Sequence, residues 1–267
     1  MGKNINLRDE RIGLEKYNNE GYIMKIIEYD NVSNIIVEFQ DDYMATVHTG
    51  FNCFKNGCTK NPYHPTVFGV GITGNKYTAY YIDKNGKKKA TKEYQTWTDM
   101  LRRCYDEKYK YYTYNDAVVC DEWLLYDNFY EWLHSQNNFE KWSLLERSAL
   151  DKDIIIKGNK SYSPETCCLV PHHINSLFTK SDAIRGELPI GVALNSRDCN
   201  GYVAYYSNGN KEIVYLGYYY SIEEAFQAYK QNKEETIKRI AKEEYSNGNI
   251  TEKCYNAMMN YEVEITD

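Results

Sequence analysis

Residues 221–244, SIEEAFQAYKQNKEETIKRIAKEE, read as one long amphipathic helix, and that helix limits the possible folds more than any other feature. Ser221 followed three residues later by Glu224 forms a capping box, in which each side chain satisfies a backbone N–H that the first turn leaves open. Ile222, Ala225, Phe226, Tyr229, Ile237 and Ile240 recur at helical steps, so one side is apolar and must be buried. Just before it, GVALNS, GYVAYYS and EIVYLGYY are short β-type runs joined by Gly- and Asn-rich turns. A three-stranded sheet followed by a helix is predicted for 185–242.

The rest of the chain changes period twice. YIMKIIEY and NIIVEF flank a DNVS turn, MATVHTGF continues the pattern, and NGCTKNPYHP breaks it, which predicts a β-rich module over 1–75. KYTAYYID and KKKATKEY flank KNG as a second hairpin with lysines at 87–89. From Tyr94 the spacing of Trp97, Met100, Leu101, Cys104 and Tyr105 turns helical, and a further helix is expected over 121–134. A strand, a GNKSYSPET turn, a strand CLV and a helix starting near Pro171 close a central domain, 76–180. SDAIRGELP reads as a linker. The fold class is α+β.

Charge narrows the partners. The net charge of -6 is not that of a generic nucleic-acid coat. Residues 1–75 carry 7 basic and 9 acidic side chains, 76–180 carry 16 and 15, and 243–267 hold six acids and one lysine. The excess therefore reads as an acidic tail, 243–267, on nearly neutral domains. The 28 tyrosines offer rings for base stacking, although a low-GC coding bias accounts for them equally well. No apolar run could span a bilayer and the N-terminus has no secretory core, so a cytoplasmic protein without a membrane partner is expected. Eight cysteines without a CxxC fit free thiols in that compartment.

One stretch concentrates groups able to bind a metal or move a proton: LDKDIIIKGNKSYSPETCCLVPHHIN, 150–175. Asp151 and Asp153 fit metal ligation or plain turn capping around GNK. His172 and His173 fit ligation or a helix start with one solvated and one packed ring. A structural zinc on Cys104, Cys120 and Cys167 with one histidine is the weaker reading, because those cysteines are far apart and unpaired in sequence.

WTDMLRRCY (97–105), VCDEW (119–123), NFYEW (128–132), LDKD (150–153) and YSPETC (162–167) together resemble the HNH-like proteins encoded by phages, including homing endonucleases. The resemblance implies a ββα finger that cuts DNA with one divalent metal, Mg²⁺ or Mn²⁺, in the cytoplasm of a bacterial host. On that pattern Asp151, His173 and Asn175 are the metal positions and His172 is a base or alternative ligand. Lys152 stands where the usual histidine base belongs and becomes a phosphate contact. Thr166 replaces the usual asparagine of the second turn.

GV at 191–192, GYVAYY, YLGYY and EEAFQAY are similar to the APETALA/ethylene-response-factor type of DNA-binding domain, which lays a three-stranded sheet in the major groove of double-stranded DNA and packs its helix behind. Alternation then puts Ala204 and Tyr206 on the helix and Val203, Tyr205 and Ser207 on the open face. The implied contacts are Asn195, Arg197, Tyr205, Ser207, Lys211 and Tyr215. The family's arginine row is largely replaced, by Ile190, Ala193, Asn195, Ser207 and Ile213. The competing expectation is a non-enzymatic binder on a retired nuclease scaffold, directed at a host defence protein or ribonucleoprotein.

Overall fold

The computed structural model describes residues 10–110, 116–178, 188–195, 200–208 and 212–265. The fold is mixed α+β with a sheet at its N-terminal end. Two compact units are present: Met1–Asn115 with Asp121–Glu131, and Asp116–Cys120 with Trp132–Asp267. The segment expected to form a central domain, 76–180, is thus divided between them.

In the first unit, β1 (Glu15–Tyr17), β2 (Ile23–Asn31), β3 (Asn34–Phe39) and β4 (Thr46–Thr49) form an antiparallel sheet in that order. Alternate positions Met24, Ile26, Ile35, Val37 and Phe39 point inward, and helix α1 (Phe51–Asn56) covers them with Phe54. Gly57 ends α1 in the left-handed region (φ 71°), where a Cβ would come 2.7 Å from Asn19 Oδ1. Strands β5 (Tyr80–Ile82) and β6 (Lys88–Ala90) make a separate hairpin. Helix α2 (Lys92–Tyr105) begins with Thr91, whose Oγ1 accepts the Tyr94 N–H, and buries Tyr94, Trp97, Met100, Leu101 and Cys104. The four-residue helix α3 (Glu107–Lys110) follows.

The helix expected over 121–134 is broken. A 3₁₀ turn over Asp121–Leu124 precedes helix α4 (Tyr126–Ser135). The cause is a bridge to Ile72, which donates to Leu124 O and accepts from Tyr126 N, taking backbone groups that a continuous helix would use internally.

In the second unit, β7 (Val118–Val119) runs parallel to β9 (Ser161–Tyr162), and helix α5 (Phe139–Leu144) leads into β8 (Ser148–Asp151). β8 pairs antiparallel with β10 (Cys168–Pro171), and helix α6 (His172–Phe178) follows at once. β11 (Val192–Leu194), β12 (Tyr202–Ser207) and β13 (Ile213–Tyr219) form the expected three-stranded sheet. Helix α7 (Ile222–Ser246) starts at the capping serine, whose hydroxyl accepts the Glu224 N–H at 3.2 Å.

Helix α7 serves two cores. Its first half sets Ala225, Phe226 and Tyr229 against Val192 and Ala204 of the sheet. Its second half sets Ile237, Ile240 and Ala241 against Ile154, Cys168, Val170, Ile174 and Leu177 of the β8–β10–α6 region. Gly191 sits where a Cβ would meet the Tyr229 ring at 2.0 Å, so only glycine lets β11 approach α7 so closely. The stretch read as an acidic tail is part of this fold. Thr251 caps helix α8 (Glu252–Met259), Ile250, Cys254 and Met258 complete the second core, and Val263 enters the first.

Candidate functional site

β8, β10 and α6 follow one another over Ser148–Phe178 as strand, strand and helix, the order the sequence implies for 150–180. Asp151 faces Cys168 across the ladder, whereas Ser148 faces Pro171 at the other end, beside His172. Three residue steps of strand, about 10 Å, therefore separate the level of Asp151 from that of the first α6 residue.

Asp151 is buried at the end of β8, where the chain turns. Its Oδ1 accepts the backbone N–H of Asp153 and of Ile154, each at 2.8 Å. Burial, with the neighbouring Asp153 charge, holds this carboxyl above the usual aspartate range. Lys152 is also buried, at 8% exposure. Its Nζ donates to both Asp153 carboxylate oxygens (3.0 and 2.9 Å) and to Asn159 O (3.1 Å). Asn159 replies through Nδ2 to Lys152 O at 2.8 Å and to Ser161 O at 2.7 Å. The turn is held by these groups themselves. As a donor set for a divalent cation they fit poorly: one carboxylate oxygen already accepts two N–H groups, and an ammonium occupies the adjoining position.

The two histidines turn elsewhere. His172 Nδ1 lies 3.1 Å from Ser176 Oγ, and that hydroxyl donates to His172 O at 2.9 Å. A hydroxyl has one proton and a carbonyl only accepts, so Nδ1 must carry the ring proton. Nε2 then faces Arg147 Nη2 at 3.4 Å. His173 Nε2 pairs with Glu244 Oε1 of α7 at 3.2 Å, and Asn249 Nδ2 donates to Glu244 Oε2 at 2.7 Å. The imidazole holds the Glu244 carboxyl below the usual glutamate range. Arg147, His172, His173, Ser176, Glu244 and Asn249 line one cavity of about 400 Å³, and Asp151 is not in its wall. Asn175 is half-buried on α6. Among the described residues, no three His, Cys, Asp or Glu side chains converge as a metal group, Cys104, Cys120 and Cys167 included. Burial pushes the Cys167 thiol up to about 12, and Cys168 is held higher than usual beside Cys254.

The β12 strand follows the expected alternation only in part. Tyr202, Ala204 and Tyr206 face α7, Tyr205 is exposed on the other side, and Ser207, also exposed, lines the cavity with His172 and Glu244. Tyr205 and Tyr215 are cross-strand neighbours with ring centroids 5.4 Å apart. Val203, expected on the open face, is 8% exposed. It is opposite Tyr218, whose ring lies over Gly201, where a Cβ would be 2.2 Å from the phenol oxygen. The Asn195 backbone N–H donates to Gly201 O. Arg197 and Lys211 lie outside the described residues. No residue of β11, β12 or β13 is charged.

A basic surface lies instead on the β5–β6 hairpin of the first unit. Tyr80, Tyr81 and Ile82 are exposed at 41, 50 and 66%, opposite Lys88 and Lys89. Lys88 Nζ stands 4.2 Å from the Tyr80 ring centroid, and Lys89 pairs with Asp83 at 3.2 Å. Its signal in the sequence is the lysine run at 87–89 beside two tyrosines.

Among the described residues, no helix is long and apolar enough to cross a membrane. No family model, curated protein or solved structure matches the chain.

Proposed function

We propose that this chain is a phage-type DNA-binding protein on an HNH-like ββα scaffold that keeps the finger and does not cut. The observation that carries the reading is the condition of Asp151 and Lys152. The carboxylate that would hold the metal caps its own turn, and the position of the base is a buried ammonium tied to Asp153 and Asn159. A cationic amine cannot take a proton from water, and a cation beside it repels a metal. Support for nucleic-acid binding comes from the lysine–tyrosine hairpin, where ammonium groups can meet phosphates and exposed rings can stack. The test is fluorescence anisotropy with a labelled duplex at low and high salt, together with incubation in Mg²⁺ or Mn²⁺. Salt-sensitive binding without cleavage is expected. Metal-dependent cleavage abolished by Asp151→Ala would overturn the non-cutting half, with Asp151, His173 and Asn175 then the ligands to examine.

A second reading is favoured by one observation, the uncharged, tyrosine-rich open face of the β11–β13 sheet, with Ile213 and Tyr215 exposed. Such a face suits a protein partner, here a host nucleic-acid-targeting defence complex, better than a phosphate backbone. Failure of duplex binding at low salt selects this reading.

A further inference from the structure

We propose that Cys53 and Cys58 form a reversible dithiol–disulfide site on the first unit, oxidised by hydroperoxides. The end of helix α1 places them together. Gly57 closes the helix in the left-handed region; the Cys58 N–H donates to Cys53 O and the Gly57 N–H to Phe54 O, each at 3.0 Å. This pair of bonds brings the side chains before and after the cap into contact, and here both are thiols. Cys58 Sγ is 3.5 Å from Cys53 O and within hydrogen-bond reach of the Cys53 sulfur. Cys58 is exposed and Cys53 half-buried, so solvent reaches the pair.

The two thiols differ. Burial opposes ionisation of Cys53, but hydrogen bonds from Cys58, Thr59 and Thr49 outweigh it and hold that thiol below the usual cysteine range. The Thr49 and Thr59 hydroxyls bond each other at 3.1 Å, which fixes them beside the sulfur. Cys58 is held above the usual range by its hydrogen bond to Cys53. Cys53 is therefore the nucleophile. Its thiolate attacks one oxygen of hydrogen peroxide, the O–O bond breaks, and the released hydroxide takes up the proton that Cys53 gave to solvent. The Cys58 sulfur then attacks the sulfenic sulfur of Cys53, the S–O bond breaks, and hydroxide leaves as water with the Cys58 proton. Two thiols give up two electrons and one peroxide becomes two waters. Cys168 and Cys254 are also in contact, but both are buried and the Cys168 thiol is held higher than usual, so the oxidant does not reach them.

The experiment treats the reduced full-length protein with hydrogen peroxide in slight excess, then follows thiol content and tryptic peptides by mass spectrometry. Trypsin cuts after Lys55, between the two cysteines, so the disulfide joins peptide 26–55 to peptide 56–60. That crosslinked pair is expected, lighter than its two parts by two hydrogens, with two thiols lost per chain and both restored by dithiothreitol. In Cys58→Ser the sulfenic acid has no partner and should be captured at Cys53 by dimedone. Cys53→Ser should give no adduct at Cys58. The inference is overturned if both thiols survive the peroxide, if a Cys168–Cys254 crosslink forms first, or if the bond joins two chains. It is equally overturned if dithiothreitol fails to restore the thiols, or if Cys58→Ser carries no dimedone at Cys53. The site is independent of the nucleic-acid reading, since the crosslink is read without any duplex present.

Discussion

Lys152 and Asn159 hold each other in both directions: the ammonium donates to the asparagine carbonyl at 3.1 Å, and the asparagine amide donates to the lysine carbonyl at 2.8 Å. The lysine at the position of the expected base is therefore a clasp across the turn that joins β8 to β9. Asn159→Ala removes donors to two backbone carbonyls and should cost about 2–3 kcal/mol. Lys152→Met should cost less, about 1–2 kcal/mol, because Asp153 can turn to water. Urea unfolding measures both, and equal, negligible effects would refute the clasp. Lys152→His should not create a metal-dependent nuclease in the same duplex assay.

Asp151 allows a discrimination by substitution. Its carboxyl is raised above 3.8, so the protonated form adds stability that is complete below that value and lost as pH rises through the folded one. Asp151→Asn keeps an acceptor for the two N–H groups and removes the buried charge. It should be as stable as the parent at pH 7, or more so. Asp151→Ala leaves both N–H groups unmet and should lose about 1–2 kcal/mol. Destabilisation by asparagine as large as by alanine would contradict the capping role.

Lys233, 8% exposed on α7, is depressed to about 8 by burial alone. The neutral amine is favoured in the folded chain, so stability should rise between pH 8 and 10.5 and carry the full penalty below 8. That penalty has an upper bound of about 3 kcal/mol. Lys233→Met should raise stability by about 1–2 kcal/mol at pH 7 and flatten the alkaline rise in a pH series of thermal melts.

For nucleic-acid binding, replacing Lys87, Lys88 and Lys89 with alanine should weaken duplex affinity and reduce the slope of log K against log salt by about 2–3. An unchanged slope would remove the hairpin from the interface.

Deleting residues 247–267 takes Ile250, Cys254 and Met258 from one core and Val263 from the other. Amide-exchange protection in β10 and β12 should be lost together. Met258→Ala alone should cost about 2–4 kcal/mol.

Local pattern reached most of the elements. The capping serine at 221, the period of Trp97, Met100, Leu101 and Cys104, and the alternation of Ala204 and Tyr206 each report a structure that neighbouring residues decide. The cavity could not be read this way. Arg147, His173 and Glu244 are distant in sequence and meet only because the second half of α7 packs on the β8–β10–α6 unit. Lys152 was legible as a missing base beside Asp153, but the Asn159 backbone carbonyl that completes its clasp is announced by no residue type. The buried end of the chain did leave a trace: Thr251, Cys254 and Met258 stand at the spacing of a capped helix with one apolar side, and the acidic composition around them obscured it.

Because one helix forms the floor of both the sheet and the strand–strand–helix unit, the two surfaces cannot respond independently. A ligand that tightens the β11–β13 sheet stiffens a rod whose far end carries Glu244, the partner of His173. Loosening α7 from either core is thus expected to lower amide-exchange protection in the other as well, since both rest on one continuous helical backbone.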